Sequence, residues 1–269
     1  MNSDARKTAT SAGRSVPALA LSIALGLGVS ASVSADELDA KRLVKAMSEF
    51  LAAQQALSFS YDATLEVVTP DAQILGLASS GKVVVNRPDK IHATRAGGFA
   101  DVAMSFDGKT LTILGKNLNA YTQVEIPGSI DHLVDVMRDK YDRPLPAADL
   151  LLTNSYEMLM EGVEDIKDLG SGVIGGVECD SLAFRSKDVD WQIWIAHGDK
   201  PYPCRYTITS KSVPNGPSYS IQFSDWKVGK AVTAASFAFK NTSKATQVKL
   251  EDLKGTGDLP EHFTKGASK

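Results

Sequence analysis

Two cysteines and four histidines are all that 269 residues offer for thiol or imidazole chemistry. The histidines, His92, His132, His197 and His262, are scattered. No His-Glu-x-x-His or Cys-x-x-Cys stands ready to hold a metal. Gly170-Ser171-Gly172 lacks the spacing of a nucleophile elbow. Asp131 and His132 are adjacent on one helix and cannot face each other. No catalytic residue, metal or cofactor is therefore expected. An excess of charge is lacking as well: 29 Lys and Arg stand against 32 Asp and Glu, with no block of one sign. That excludes the basic footprint of nucleic-acid binding and gives no pull toward an anionic membrane surface. No apolar run reaches the roughly 18 residues of a membrane span. There is no repeat of fixed period, and no Pro/Gly/Ser-rich linker divides the chain.

What is present begins with an export signal. Arg6, Lys7 and Arg14 precede an apolar run from Val16 to Val29, and Val33-Ser34-Ala35 supplies small residues for a signal peptidase. Residues 1–35 read as a signal peptide cut after Ala35, placing the product in the periplasm. No cysteine follows the cut, so the chain carries no lipoprotein signal of its own. Removing Asp4, Arg6, Lys7 and Arg14 takes the charges from 29 against 32 to 26 against 31, a net of −5. The remaining length suits one sizeable core, expected over 36–240, with a polar, loosely held tail over 241–269.

Asp36 is placed to cap a helix running to about Leu57, with Leu43, Val44, Met47, Phe50 and Leu51 along one stripe. The period then changes to two. Phe59, Tyr61, Ala63, Leu65 and Val67 face one way, and Ser60, Asp62, Thr64 and Glu66 the other. Strands follow at Gln73–Asn86, Lys90–Arg95, Asp101–Phe106, Thr110–Leu114 and Ala120–Glu125. Pro88 interrupts the ladder, and Asp107-Gly108 marks a tight turn. A helix opened by Ser129 carries Ile130, Leu133, Val134 and Met137 on one face. Pro144 and Pro146 break the chain before a second helix over Ala147–Met160. Strands return at Val163–Ile174, Val177–Arg185, Asp190–Ala196, Cys204–Lys211, Tyr219–Val228 and Ala235–Lys240. The expectation is an α+β fold: a strongly curved antiparallel sheet of roughly ten strands, an open half-barrel, with helices against its concave face.

Met137, Met158 and Met160 on the helices and Trp191 and Trp194 on the strands could line a pocket for an acyl chain between the two layers, Met suiting irregular ligands. The same residues could equally be ordinary core. Cys179 and Cys204 could bridge in an oxidising compartment. An intervening strand puts their backbones near 10 Å apart, so a bridge needs both at strand ends, where the loop His197–Pro203 could bring Cys204 across.

The order of these segments resembles the periplasmic lipoprotein-carrier superfamily. The resemblance rests on a strand ending in Arg87-Pro88, then Asp107-Gly108-Lys109-Thr110-Leu111, then Trp191-Gln192-Ile193-Trp194-Ile195 before Tyr202-Pro203, and Ser236-Phe237-Ala238-Phe239 as a closing strand. Asp190–Ile208 and Arg143–Leu152 are similar to the DUF2092 branch of that superfamily. The resemblance implies a non-enzymatic binder of an apolar ligand or lipidated protein, with Arg87 as a gate that closes the lid over the cavity by hydrogen bonds to the helices. A protein-interaction or sensor module of the cell envelope, on the same fold with a filled interior, is the alternative. The segment 140–176, with Tyr141, Arg143 and two prolines, departs from the carrier pattern and leaves the cargo open.

Overall fold

The structure, a computed structural model, describes residues 30–98, 100–232 and 237–253. One helix, α1 (Ser30–Ala52), leads into a meander of six strands: β1 (Ala56–Val68), β2 (Ile74–Asn86), β3 (Lys90–Gly97), β4 (Asp101–Phe106), β5 (Thr110–Gly115) and β6 (Ala120–Glu125). Then come α2 (Ile130–Asp139), a 3₁₀ turn (Ala148–Leu151) and the short α3 (Ser155–Met160). A second meander follows, of β7 (Val163–Ile174), β8 (Val177–Ser186), β9 (Val189–Ala196), β10 (Pro203–Ser210) and β11 (Ser218–Val228), and two residues of β12 (Thr246–Gln247) end the order.

Among the described residues all strands join one open sheet of twelve, in the order β12-β6-β5-β4-β3-β2-β1-β11-β10-β9-β8-β7. Every pairing is antiparallel except β12 on β6. The antiparallel α+β sheet expected from the sequence is the one observed. The two meanders meet where β1 pairs with β11, Ala63 opposite Ile221.

The alternation sorts the faces. Leu57, Phe59, Ala63, Val83, Val85, Ile91, Phe106, Leu111 and Ile113 are buried from the first meander, as are Leu182, Phe184, Trp191, Ile193, Tyr206 and Ile221 from the second. Register places them all on the face that carries the helices. Met47 and Leu51 of α1 and Leu133 and Met137 of α2 are buried in the same core. Gly81 is required here: a Cβ would lie 1.9 Å from the carbonyl oxygen of Thr94 and 2.6 Å from the ring of Tyr61. The Tyr61 ring crosses that gap, and its hydroxyl donates to Thr94 O at 3.0 Å.

Several expectations need correction. Helix α1 is described over Ser30–Ala52, so Asp36 lies inside it and is not its cap. The chain leaves the helix early because the Gln54 side chain takes up the orphan carbonyl of Phe50 at 2.8 Å. The single helix over Ala147–Met160 is two pieces. Ala147 has a left-handed φ of 55°, and Thr153, just before α3, donates through its backbone and hydroxyl to Asp131 of α2. The closing strand Ala235–Lys240 does not form over its described part, 237–240, where Phe239 packs on Tyr121 at 4.8 Å instead; Ala235 and Ser236 lie outside the described residues, as do residues 1–29 of the export signal. The polar segment past Asn241 is docked as far as Leu253. Ala245, Leu250 and Leu253 are buried, and Val248 N–H donates to Tyr121 O at 2.8 Å.

Candidate functional site

Arg87 ends β2 at the point where the helices meet the sheet. Its backbone N–H donates to Gln55 O at 2.8 Å, and the Gln55 side chain donates back to Arg87 O. The Arg87–Pro88 bond is cis, and Pro88 O accepts from Ile130 N–H, at the start of α2, at 2.9 Å. The guanidinium is buried and donates through Nη2 to Leu151 O at 2.8 Å and to Leu51 O at 3.5 Å. Those carbonyls belong to the last turn of α1 and the end of the 3₁₀ turn, where helix carbonyls run out of intrahelical N–H donors. One side chain thus ties two helical segments to a strand end. Burial pulls the Arg87 pKa down from the ordinary arginine value, and nearby Asp131 opposes the shift.

A second tie holds the 3₁₀ turn. Tyr206 on β10 donates to Asp149 Oδ2 at 3.0 Å, and Leu150 N–H donates to Oδ1 at 3.1 Å. Burial pushes the Asp149 carboxyl up, partly offset by these donors. The Tyr206 hydroxyl is likewise pushed well up, by burial and then by Asp149.

The residues expected to line a pocket divide. Met137 is buried in the core and Met158 and Met160 are half-buried against it. Trp191 faces the helices, its ring stacked on Phe184 at 3.8 Å and edge-on to Tyr206 at 5.9 Å. Trp194 does not join them. Three residues along a strand reverse the face, so Trp194 lies on the outer, helix-free face opposite Arg205, whose guanidinium is 5.9 Å from its ring centre.

Cys179 and Cys204 are joined, their Cα atoms 7.0 Å apart. The bridge passes over the end of β9, where Ala196 pairs with Cys179 and the ladder slips between Pro203 and Arg205. With Trp194 and Tyr202 it forms a small second core on the outer face. Among the described residues no group of three or more His, Cys, Asp or Glu could hold a metal ion, and no helix is long and apolar enough to cross a membrane.

A family model described as "Predicted periplasmic protein (DUF2092)" matches residues 40–251. The chain belongs to this family. The match takes in both meanders and every helix except the start of α1. No curated protein matches the chain in sequence. Among solved structures, it is similar to the lipoprotein LppX of Mycobacterium tuberculosis, with 15% identity and a TM-score of 0.46 over 71% of this chain and 96% of that one. It is similar to LprF of Mycobacterium bovis, with 14% identity and a TM-score of 0.44 over 75% and 98%. A LolA-superfamily protein of Nitrosomonas europaea gives 10% identity and a TM-score of 0.32 over 71% and 94%.

The knot around Arg87 was legible in the sequence only through the resemblance. The Asp149–Tyr206 tie was not, because nothing local connects residues on a 3₁₀ turn and a distant strand.

Proposed function

We propose that this DUF2092 protein is a periplasmic, non-catalytic binder of an apolar ligand, an acyl chain of a lipid or lipidated protein, held between the sheet and the helices laid on it. The observation that carries this reading is the Arg87 knot. The helices rest on the sheet through apolar faces, which slide and separate without breaking directional bonds. Their polar attachment is concentrated in Arg87, Asp149 and the two turns beside Pro88. A layer held that way can lift as a unit and admit a chain against Trp191, Met158 and Met160. The apolar face also continues beyond the helices, where Leu65 is 41% exposed and Leu77, Ile208 and Tyr219 are half-buried.

A second reading has its own observation. Leu133 and Met137 are already fully enclosed, and two cavities among the described residues lie elsewhere: one on the outer face, one beside β6 lined by Gln123, Tyr141 and Leu250. An envelope interaction module with a filled interior would look the same.

A fluorescent fatty acid decides between them. Under the binder reading the freshly purified protein takes up the probe, and Arg87→Gln, which releases the helical carbonyls, changes the uptake rate by about tenfold or more, the equivalent of one charged hydrogen bond. Native mass spectrometry followed by organic extraction identifies cargo carried from the cell. A folded protein that binds no probe, in wild type and variant alike, overturns the binder and leaves the module.

A further inference from the structure

The outer face of the sheet carries a cleft that the binder reading does not use. Its volume is ≈ 230 Å³, and it is lined by Asp62, Thr64, Ser80, Arg205, Ser220 and Gln222, among others. The register explains how it arises. Ser80 on β2 pairs with Asp62 on β1, Asp62 with Gln222 on β11, and Gln222 with Arg205 on β10. The four form one row across four strands, all facing away from the helices. The flanking positions Ala78, Thr64 and Ser220 are small, so the face is hollowed between the ends of the row.

Two opposite charges stand at either side of that hollow, and they do not neutralise each other. Asp62 and Arg205 are two strands apart, so their backbones are roughly 10 Å apart. Each is oriented by a neutral neighbour. The Ser80 hydroxyl donates to Asp62 Oδ1. Arg205 Nη2 donates to Gln222 Oε1 at 3.1 Å. Among the described residues no carboxylate lies within ion-pair distance of Arg205 and no cation within that distance of Asp62. Arg205 Nε is enclosed and has no acceptor among the described residues, although buried charge-bearing groups ordinarily find one. The Trp194 ring backs the guanidinium.

The second core frames this arrangement. A Cβ at Gly172 on β7 would lie 3.8 Å from the Trp194 indole nitrogen, and one at Gly175 would lie 3.7 Å from the Gln222 amide nitrogen. The β7–β8 turn therefore reaches over Trp194 to the edge of the cleft, and the Cys179–Cys204 bridge fastens the turn end of that hairpin to β10, next to Arg205.

We infer that this cleft is a binding site for a small zwitterion of amino-acid size, its carboxylate received by Arg205 and its ammonium by Asp62. An acceptor-only carboxylate satisfies a guanidinium with donors to spare, and an ammonium satisfies a carboxylate held by a single hydroxyl. The volume falls below the roughly 300–1,000 Å³ typical of drug-sized ligands, which limits the occupant to a small molecule. Thr64 and Ser220 add hydroxyls for a polar side chain.

The test is a thermal-shift and calorimetric screen of the intact exported protein against each of the twenty free L-amino acids at millimolar concentration. At least one is expected to bind. Its N-acetylated and its C-terminally amidated forms, each lacking one charge, are each expected to bind about tenfold or more weakly. Arg205→Gln should abolish discrimination against the amidated form, and Asp62→Asn against the acetylated form, both with unchanged far-ultraviolet circular dichroism. No binding by any of the twenty overturns the proposal. So does affinity that survives in both variants, or that falls with Arg87→Gln, which would place the ligand on the helix side.

Discussion

The two faces of this sheet are built from the same strands and obey opposite rules. The inner face is apolar, continuous across both meanders, and covered by helices whose contacts are mostly directionless. The outer face is polar, and its order comes from specific pairs: Asp62 with Ser80, Thr207 with Ser220, Gln123 with Thr112, Arg205 with Gln222. Among the described residues, only at the Cys179–Cys204 corner does it build a core of its own. Stability therefore resides mainly on the inner face, while positional detail on the outer face depends on a covalent bond and individual hydrogen bonds. Removing one inner side chain is felt across the whole sheet; removing one outer contact is felt locally.

The largest effect to sharpen this contrast belongs to Phe106→Ala. Phe106 is fully enclosed, and truncating such a ring costs about 3–5 kcal/mol. Urea unfolding is expected to show the loss with an unchanged slope. A cost below about 1 kcal/mol would mean that the inner face is loosely filled.

Reducing the Cys179–Cys204 bridge comes next. It closes a loop of 25 residues in sequence separation, for which about 2–4 kcal/mol is typical. Hydrogen exchange should rise around the β7–β8 turn while the segment of α2 around Leu133 keeps its protection. Equal loosening of both faces would dissolve the distinction. Two alkylatable thiols in the native, oxidised protein would remove its premise.

The smallest effect concerns Asp149. Its folded-state pKa is raised above the unfolded value by burial, so the folded chain binds that proton more tightly. The stability it contributes is fully present below the unfolded carboxylate pKa and is lost as pH rises through the folded one. Asp149→Asn keeps an acceptor for the Tyr206 hydroxyl and cannot ionise. The variant should therefore flatten the fall in stability as pH rises above the ordinary carboxylate range. An unaltered slope would show that the carboxyl is solvated in solution.

How much of this could be seen in the sequence follows the same division. The meanders were legible because period two and turns such as Asp107-Gly108 are local signals; Asp107 Oδ1 indeed takes the N–H groups of Lys109 and Thr110. Trp191 and Trp194 could have been separated by parity alone, since three residues on a strand change the face. The break in the helix after Ala147 was hidden because Asp131, a distant residue, captures Thr153. The docking of 241–253 was hidden because three buried residues, Ala245, Leu250 and Leu253, are spaced among polar ones with no period. The charge row on the outer face was unreadable: Asp62, Gln222 and Arg205 become neighbours only once β1 pairs with β11 and β11 with β10.

That pairing of β1 with β11 has a consequence for how the chain reaches this state. Within each meander, neighbouring strands are neighbours in sequence and can find one another quickly through short turns. The seam between Ala63 and Ile221 instead joins almost the first strand made to almost the last, and such closure is entropically late and slow. Until β11 arrives, β1 presents an unpaired edge whose apolar residues, Leu57, Phe59 and Ala63, end up buried in the finished molecule, the kind of edge that seeds association between chains. The protein is thus most exposed to aggregation in the interval before its final long strand emerges, and a truncation just short of Ser218 would prolong that interval indefinitely.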